Sequence, residues 1–147
     1  INTIEFKNVY FEYEINTPVL KNINLLIGGA NKISGIAGES GCGKSTIINL
    51  IMKFYVSTSG DILINDEKIE NICRKDLRRK ICAVMQNDLL FDGILEDNFK
   101  IVEKSSTKNE IKELLDLVEI SEVFNEAADP LLYKIEEGGK NLSGGQK

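Results

Sequence analysis

The sequence predicts an α/β fold in two parts. Residues 1–86 read as an α/β core with an antiparallel β patch, and residues 87–147 as a helical subdomain. Three observations carry this expectation. A glycine-rich loop at 38–46 sits between a short apolar run suited to a strand and a longer one suited to a helix. Strand-like runs and a hairpin pattern flank that unit on both sides. Beyond residue 87 the apolar spacing changes from strand-like to helical.

The loop is Gly38-Glu39-Ser40-Gly41-Cys42-Gly43-Lys44-Ser45-Thr46, which satisfies the phosphate-binding pattern G-x-x-x-x-G-K-[ST]. Lys32-Ile33-Ser34-Gly35-Ile36-Ala37 before it suits a buried strand, and Thr46-Ile47-Ile48-Asn49-Leu50-Ile51-Met52 after it is apolar nearly all round, as in a buried helix. A strand, a glycine loop and a helix together aim backbone N–H groups and a helix N-terminus at phosphate oxygens. Gly38, Gly41 and Gly43 let phosphate approach the backbone. Lys44 supplies a cation for the β- and γ-phosphates, and the Ser45 hydroxyl can ligate Mg²⁺.

The remaining elements follow in order. Residues 3–9 alternate apolar and polar, as a half-buried strand does, and Tyr10, Phe11 and Tyr13 extend the strand-favouring character. Pro18 marks a turn into a second strand over 19–27, and Gly28-Gly29 leads to the strand before the loop. Asp61–Ile64 and Glu67–Ile69, separated by Asn65-Asp66, suggest a small hairpin. The basic run Arg74–Lys80 reads as a solvated helix face, and Ile81–Met85 as another buried strand ending at Gln86. Thr107-Lys108-Asn109-Glu110 is a capping box, and Ile111, Leu114, Leu115 and Val118 form the stripe of an amphipathic helix. Ser121 caps a second short helix that should stop before Pro130.

Composition narrows the function classes. A chain of 147 residues can bury one core, or a core and a small appendage. No apolar run approaches the ~18 residues that span a bilayer. The chain opens Ile1-Asn2-Thr3 without an initiator Met or a basic leader, so it is expected to be a piece of a longer protein without a signal peptide. A net charge of −5 argues against a nucleic-acid partner. Cys42, Cys73 and Cys82 form no C-x-x-C pair, which argues for a reducing compartment and against a disulfide framework. The absence of histidine excludes a His-based triad within these residues.

A second glycine motif closes the chain: Leu142-Ser143-Gly144-Gly145-Gln146. Ser143 is a good N-cap, and two glycines in the first turn leave N–H groups bare, which makes a second anion site at a helix start. The two motifs in this order resemble the nucleotide-binding domain of ATP-binding cassette (ABC) transporters, whose signature sequence the second matches letter for letter. The resemblance covers essentially all 147 residues. It implies a P-loop NTPase (RecA-like) core whose C-terminal part is absent from these residues. It also implies ATP and Mg²⁺ as cofactors, ATP hydrolysis, and a place on the cytoplasmic face of the cell membrane.

The resemblance assigns further residues. Tyr13 stands where the family places an aromatic that stacks on adenine. Ser40, Cys42 and Thr46 complete the phosphate loop. Gln86 matches the glutamine that reaches toward Mg²⁺ and the attacking water. Ser143, Gly144, Gly145 and Gln146 match the motif that serves ATP held by a second nucleotide-binding domain, in a head-to-tail dimer. Leu90–Asn98 and Ile135–Gly139 resemble exporter segments, the first where the helical subdomain meets the transmembrane domain. Glu137 matches the usual acid of the second segment, whereas Glu136 stands where exporters commonly carry glycine. The family's Mg²⁺-supporting Asp, water-polarising Glu and switch histidine follow the signature, so these residues alone are expected to bind nucleotide weakly and turn over at background rate. The alternatives are a non-transport ABC-family ATPase and a nucleotide-binding piece without turnover. A chromosome-maintenance relative would carry a long coiled coil, and a GTP switch an N-K-x-D guanine reader; neither pattern occurs.

Overall fold

The computed structural model describes residues 1–29, 32–85, 90–124 and 129–147. The chain divides into two units, Ile1–Ala83 and Val84–Lys147, each with its own core.

The first unit is built on a four-stranded antiparallel sheet of β1 (Thr3–Glu12), β2 (Pro18–Gly28), β3 (Ser59–Ile64) and β4 (Glu67–Lys68), in the order β2-β1-β3-β4. β1 runs three residues further than the alternation suggests, because a bulge rescues it. Strict alternation would carry Asn8 inward after Phe6. Instead Asn8 takes a left-handed conformation (φ 51°), both neighbouring pairings shift there, and Val9 and Phe11 turn into the core. The Asn8 N–H donates to Asn24 Oδ1 at 3.0 Å, which staples the bulge to β2. Asn65 and Asp66 (φ 48° and 66°) form the two-residue hairpin between β3 and β4, residue types that tolerate positive φ at both central positions.

Helix α1 (Lys44–Ile51) packs Ile47, Leu50 and Ile51 against the sheet face carrying Phe6, Val9, Leu20 and Ile62. A short helix, α2 (Arg74–Arg78), buries only Leu77 and leaves its basic face in solvent, as the basic run implied. The two expected buried strands differ from expectation. Residues 32–37 and 81–85 are not strands, Ile33 is fully exposed and Val84 is 88% exposed. A strand needs a partner for its N–H and C=O groups, and among the described residues neither 33–37 nor 82–84 joins a strand ladder.

The second unit packs α3 (Leu95–Val102) and α4 (Lys108–Leu117) with three 3₁₀ turns and a two-stranded pairing of β5 (Gly93–Ile94) and β6 (Lys134–Ile135). The Thr107 capping box forms: Glu110 N–H donates to Thr107 Oγ1 at 3.3 Å, and Thr107 N–H to Glu110 Oε2 at 2.7 Å. The expected stripe is only half buried. Ile111 and Leu115 enter the core with Phe124, Leu131 and Ile135, but Leu114 and Val118 lie 48% and 59% exposed. The helix stops at Leu117, and left-handed Glu119 (φ 59°) turns the chain away. Ser121 begins a 3₁₀ turn rather than an α-helix, its hydroxyl held by Asp116.

Candidate nucleotide-binding site

The phosphate loop sits between residues 32–37 and α1. Gly43 is the N-cap of α1 in a left-handed conformation (φ 98°), and a Cβ there would lie 2.6 Å from Leu20 Cδ2. Both the conformation and the close approach to β2 therefore require glycine. Gly43 has no side chain to cap the helix, so the first-turn N–H groups of Lys44, Ser45 and Thr46 are left to an external acceptor. These groups, with the positive end of the helix dipole, are what an anion needs.

Lys44 reaches back across the loop. Its Nζ donates to the carbonyl oxygens of Gly38 (2.8 Å) and Glu39 (2.6 Å) and lies 3.7 Å from Cys42 Sγ. The cation is thus held over the loop by neutral dipoles. A phosphate oxygen is a stronger partner, because the hydrogen bond it accepts is charge-assisted on both sides. Ser40, Gly41, Cys42 and Ser45 are exposed, whereas Thr46 is buried at 4% exposure. Ser45 offers a neutral, exposed hydroxyl in the first helical turn, a hard oxygen donor that fits Mg²⁺ alongside phosphate and water oxygens.

Tyr13 lies just past the end of β1, 47% exposed. Its ring meets Phe11 and Tyr55 edge-to-face, with centroids 4.7 and 5.0 Å away. Its hydroxyl hydrogen-bonds Thr46 Oγ1 at 3.1 Å and accepts from Asn49 Nδ2 at 3.2 Å. The structure therefore joins Tyr13 to the helix that follows the phosphate loop. Asn49 and Tyr55 were missed from the sequence. The available signal was an amide in an otherwise apolar helix, a poor helix former at a half-buried position. Gln86 lies outside the described residues.

The signature segment belongs to the second unit. Ser143 Oγ accepts from Gln146 N–H at 3.3 Å and Ser143 N–H donates to Gln146 Oε1 at 2.8 Å, a reciprocal cap at the start of a single helical turn. Leu142 anchors the segment in the core, and Asn141 Nδ2 donates to the Lys134 carbonyl at 2.8 Å. Gly144 and Gly145 are exposed. In the turn before it, Glu137–Gly139, Glu137 pairs with Lys140 at 3.3 Å.

Comparison with known proteins identifies the family. The ABC transporter family model matches residues 20–147. The chain is 40% identical over 147 residues to a putative export ATP-binding/permease protein of Rickettsia typhi, covering 99% of the chain and 25% of that relative. It is 35% identical over 144 residues to the mitochondrial iron–sulfur clusters transporter of Debaryomyces hansenii, covering 98% of the chain and 20% of that relative. It superposes on a bacterial Atm1-family ABC exporter solved with ATP bound, with a TM-score of 0.91 at 27% identity, over 99% of the chain and 26% of that structure. It thus spans between a fifth and about a quarter of the length of these relatives. The chain belongs to the ABC transporter family.

Proposed function

We propose that this chain binds Mg·ATP and, within its full-length protein, couples ATP binding and hydrolysis to export of a substrate across a membrane. The observation that carries the reading is the uncapped N-terminus of α1 with Lys44 folded over the loop before it. Phosphate oxygens take the first-turn N–H groups of α1, and Lys44 exchanges the Gly38 and Glu39 carbonyls for the β- and γ-phosphates. Ser45 would hold Mg²⁺, with Gln86 assigned to the same ion by the family resemblance alone, and the ion would neutralise charge on the phosphates. Tyr13 stacks on the adenine.

The partners follow from the same reading. The relatives are export ATP-binding/permease proteins and transporters, which supports a transmembrane domain as one partner and a place at a membrane, whose cytoplasmic face we propose as the site of action. A second nucleotide-binding domain, arranged head to tail, places Ser143, Gly144, Gly145 and Gln146 against the ATP of its neighbour. The exposure of Ser143, Gly144 and Gly145 in a turn capped by Ser143 supports this role.

Titration calorimetry with ATP tests the core of the proposal. Lys44→Ala should weaken ATP binding at least about ten-fold, since a charge-assisted contact is lost. An unchanged affinity would overturn the assignment.

A further inference from the structure

We infer that Asn49 is a positioning residue for adenine recognition, acting through the Tyr13 hydroxyl. The inference rests on the reading of Tyr13 as the adenine-stacking aromatic. Thr46 and Asn49 lie three residues apart, and so on one face of α1. Both reach the same phenol oxygen, at 3.1 and 3.2 Å. The Asn49 amide donates to it, and the contact with Thr46 Oγ1 is between two hydroxyls, either of which can donate. Thr46 is buried and ends the phosphate loop, so the hydroxyl ties the aromatic to the element that holds the phosphates.

Tyr13 needs this tie because it lies outside the ladder. β1 ends at Glu12, and Tyr13 is nearly half exposed. Phe11 and Tyr55 contact the ring edge-to-face, and such contacts tolerate sliding along the ring. Hydrogen bonds to two fixed groups on a helix define the ring position more narrowly. An asparagine in the middle of an eight-residue helix costs helix propensity relative to alanine, and the contact to Tyr13 gives a reason for it. In this arrangement the base-reading ring and the phosphate loop move as one unit. Loss of the Asn49 contact loosens the ring without touching the phosphate cradle.

The test separates base from phosphate by titrating the whole chain with ATP and with inorganic tripolyphosphate. Asn49→Ala should weaken ATP about five-fold, the worth of one net hydrogen bond, with tripolyphosphate affinity unchanged, and Tyr13→Phe, which loses the contacts to both Asn49 and Thr46, should weaken ATP at least as much. Tyr13→Phe keeps the ring and removes only the hydroxyl. The double variant should be no weaker than Tyr13→Phe alone, because loss of the hydroxyl already removes the Asn49 contact. Equal weakening of both ligands in Asn49→Ala, unchanged ATP affinity, or effects that multiply in the double variant would each overturn the inference. Tyr13→Ala distinguishes the two levels. If it leaves ATP binding unchanged, the adenine-stacking reading fails. If it weakens ATP while Asn49→Ala does not, only the role of Asn49 fails.

Discussion

Gly43 is where backbone geometry and ligand chemistry meet. Its φ of 98° ends the loop, its missing side chain lets β2 pass at contact distance, and its missing cap leaves N–H groups for phosphate. Gly43→Ala should therefore lower stability by about 1–3 kcal/mol, from positive-φ strain plus the overlap with Leu20. Urea unfolding followed by far-ultraviolet circular dichroism measures it, and a loss below a few tenths would contradict the strained geometry. Much of the site is legible in the sequence at this scale, because a phosphate cradle is made of local backbone and the residues that permit it are contiguous. Asn49 and Tyr55 were not legible, because their role depends on where β1 delivers Tyr13, a long-range consequence of the sheet register.

The same contrast holds for elements. Helix α4 was legible because Thr107 and Glu110 cap it through contacts three residues apart. Thr107→Ala should cost about 1 kcal/mol by the same urea assay, and no change would deny the box any role. Helix α3 was not foreseen, since Ile94 in the N-cap position offers no side-chain acceptor. Carboxyls held below their ordinary pKa set the pH behaviour of this unit, Glu103 among them through hydrogen bonds from the Ser105 side chain and backbone. A hydrogen bond from Lys100, aided by the charges of Lys100 and Lys108, lowers the Glu96 carboxyl below its ordinary 4.5. Backbone hydrogen bonds from Thr107 and Leu131 do the same for Glu110, below 4.5, and Asp129, below 3.8. A carboxyl whose folded-state pKa is lowered stabilises the fold above its ordinary value, and that contribution is lost as pH falls through the lowered one. The urea midpoint should therefore fall as pH drops below about 4.5, and Glu96→Gln should flatten the fall. A midpoint that rises on acidification would contradict the sign.

At the scale of the whole molecule, hydrophobicity and pairing part company. Ile33–Ala37 and Cys82–Val84 carry apolar side chains suited to a core, yet their backbone N–H groups find no acceptor among the described residues. Apolar content reports a preference for burial, whereas a strand requires another backbone alongside it. Amide hydrogen exchange read by mass spectrometry should show 33–37 exchanging at the earliest time points, while β1 and β2, paired along their lengths, stay protected. Protection of 33–37 equal to that of β1 would mean that this run is paired in solution.

Assembly supplies the last test at this scale. The Ser143 hydroxyl accepts the Gln146 N–H, so its own proton remains available to an incoming phosphate oxygen. The exposed Gly144 and Gly145 leave that approach open. If a second copy presents ATP to this turn, association should rise with ATP. It should vanish in Ser143→Glu, whose carboxylate meets the γ-phosphate as a like charge, and survive in part in Ser143→Ala, which loses one hydrogen bond but adds no repulsion. Light scattering of the chain with and without Mg·ATP reads the mass directly. An ATP-dependent dimer that Ser143→Glu leaves intact would place the contact elsewhere. A mass that ignores ATP in all three proteins would remove the signature turn from any role between copies of this chain.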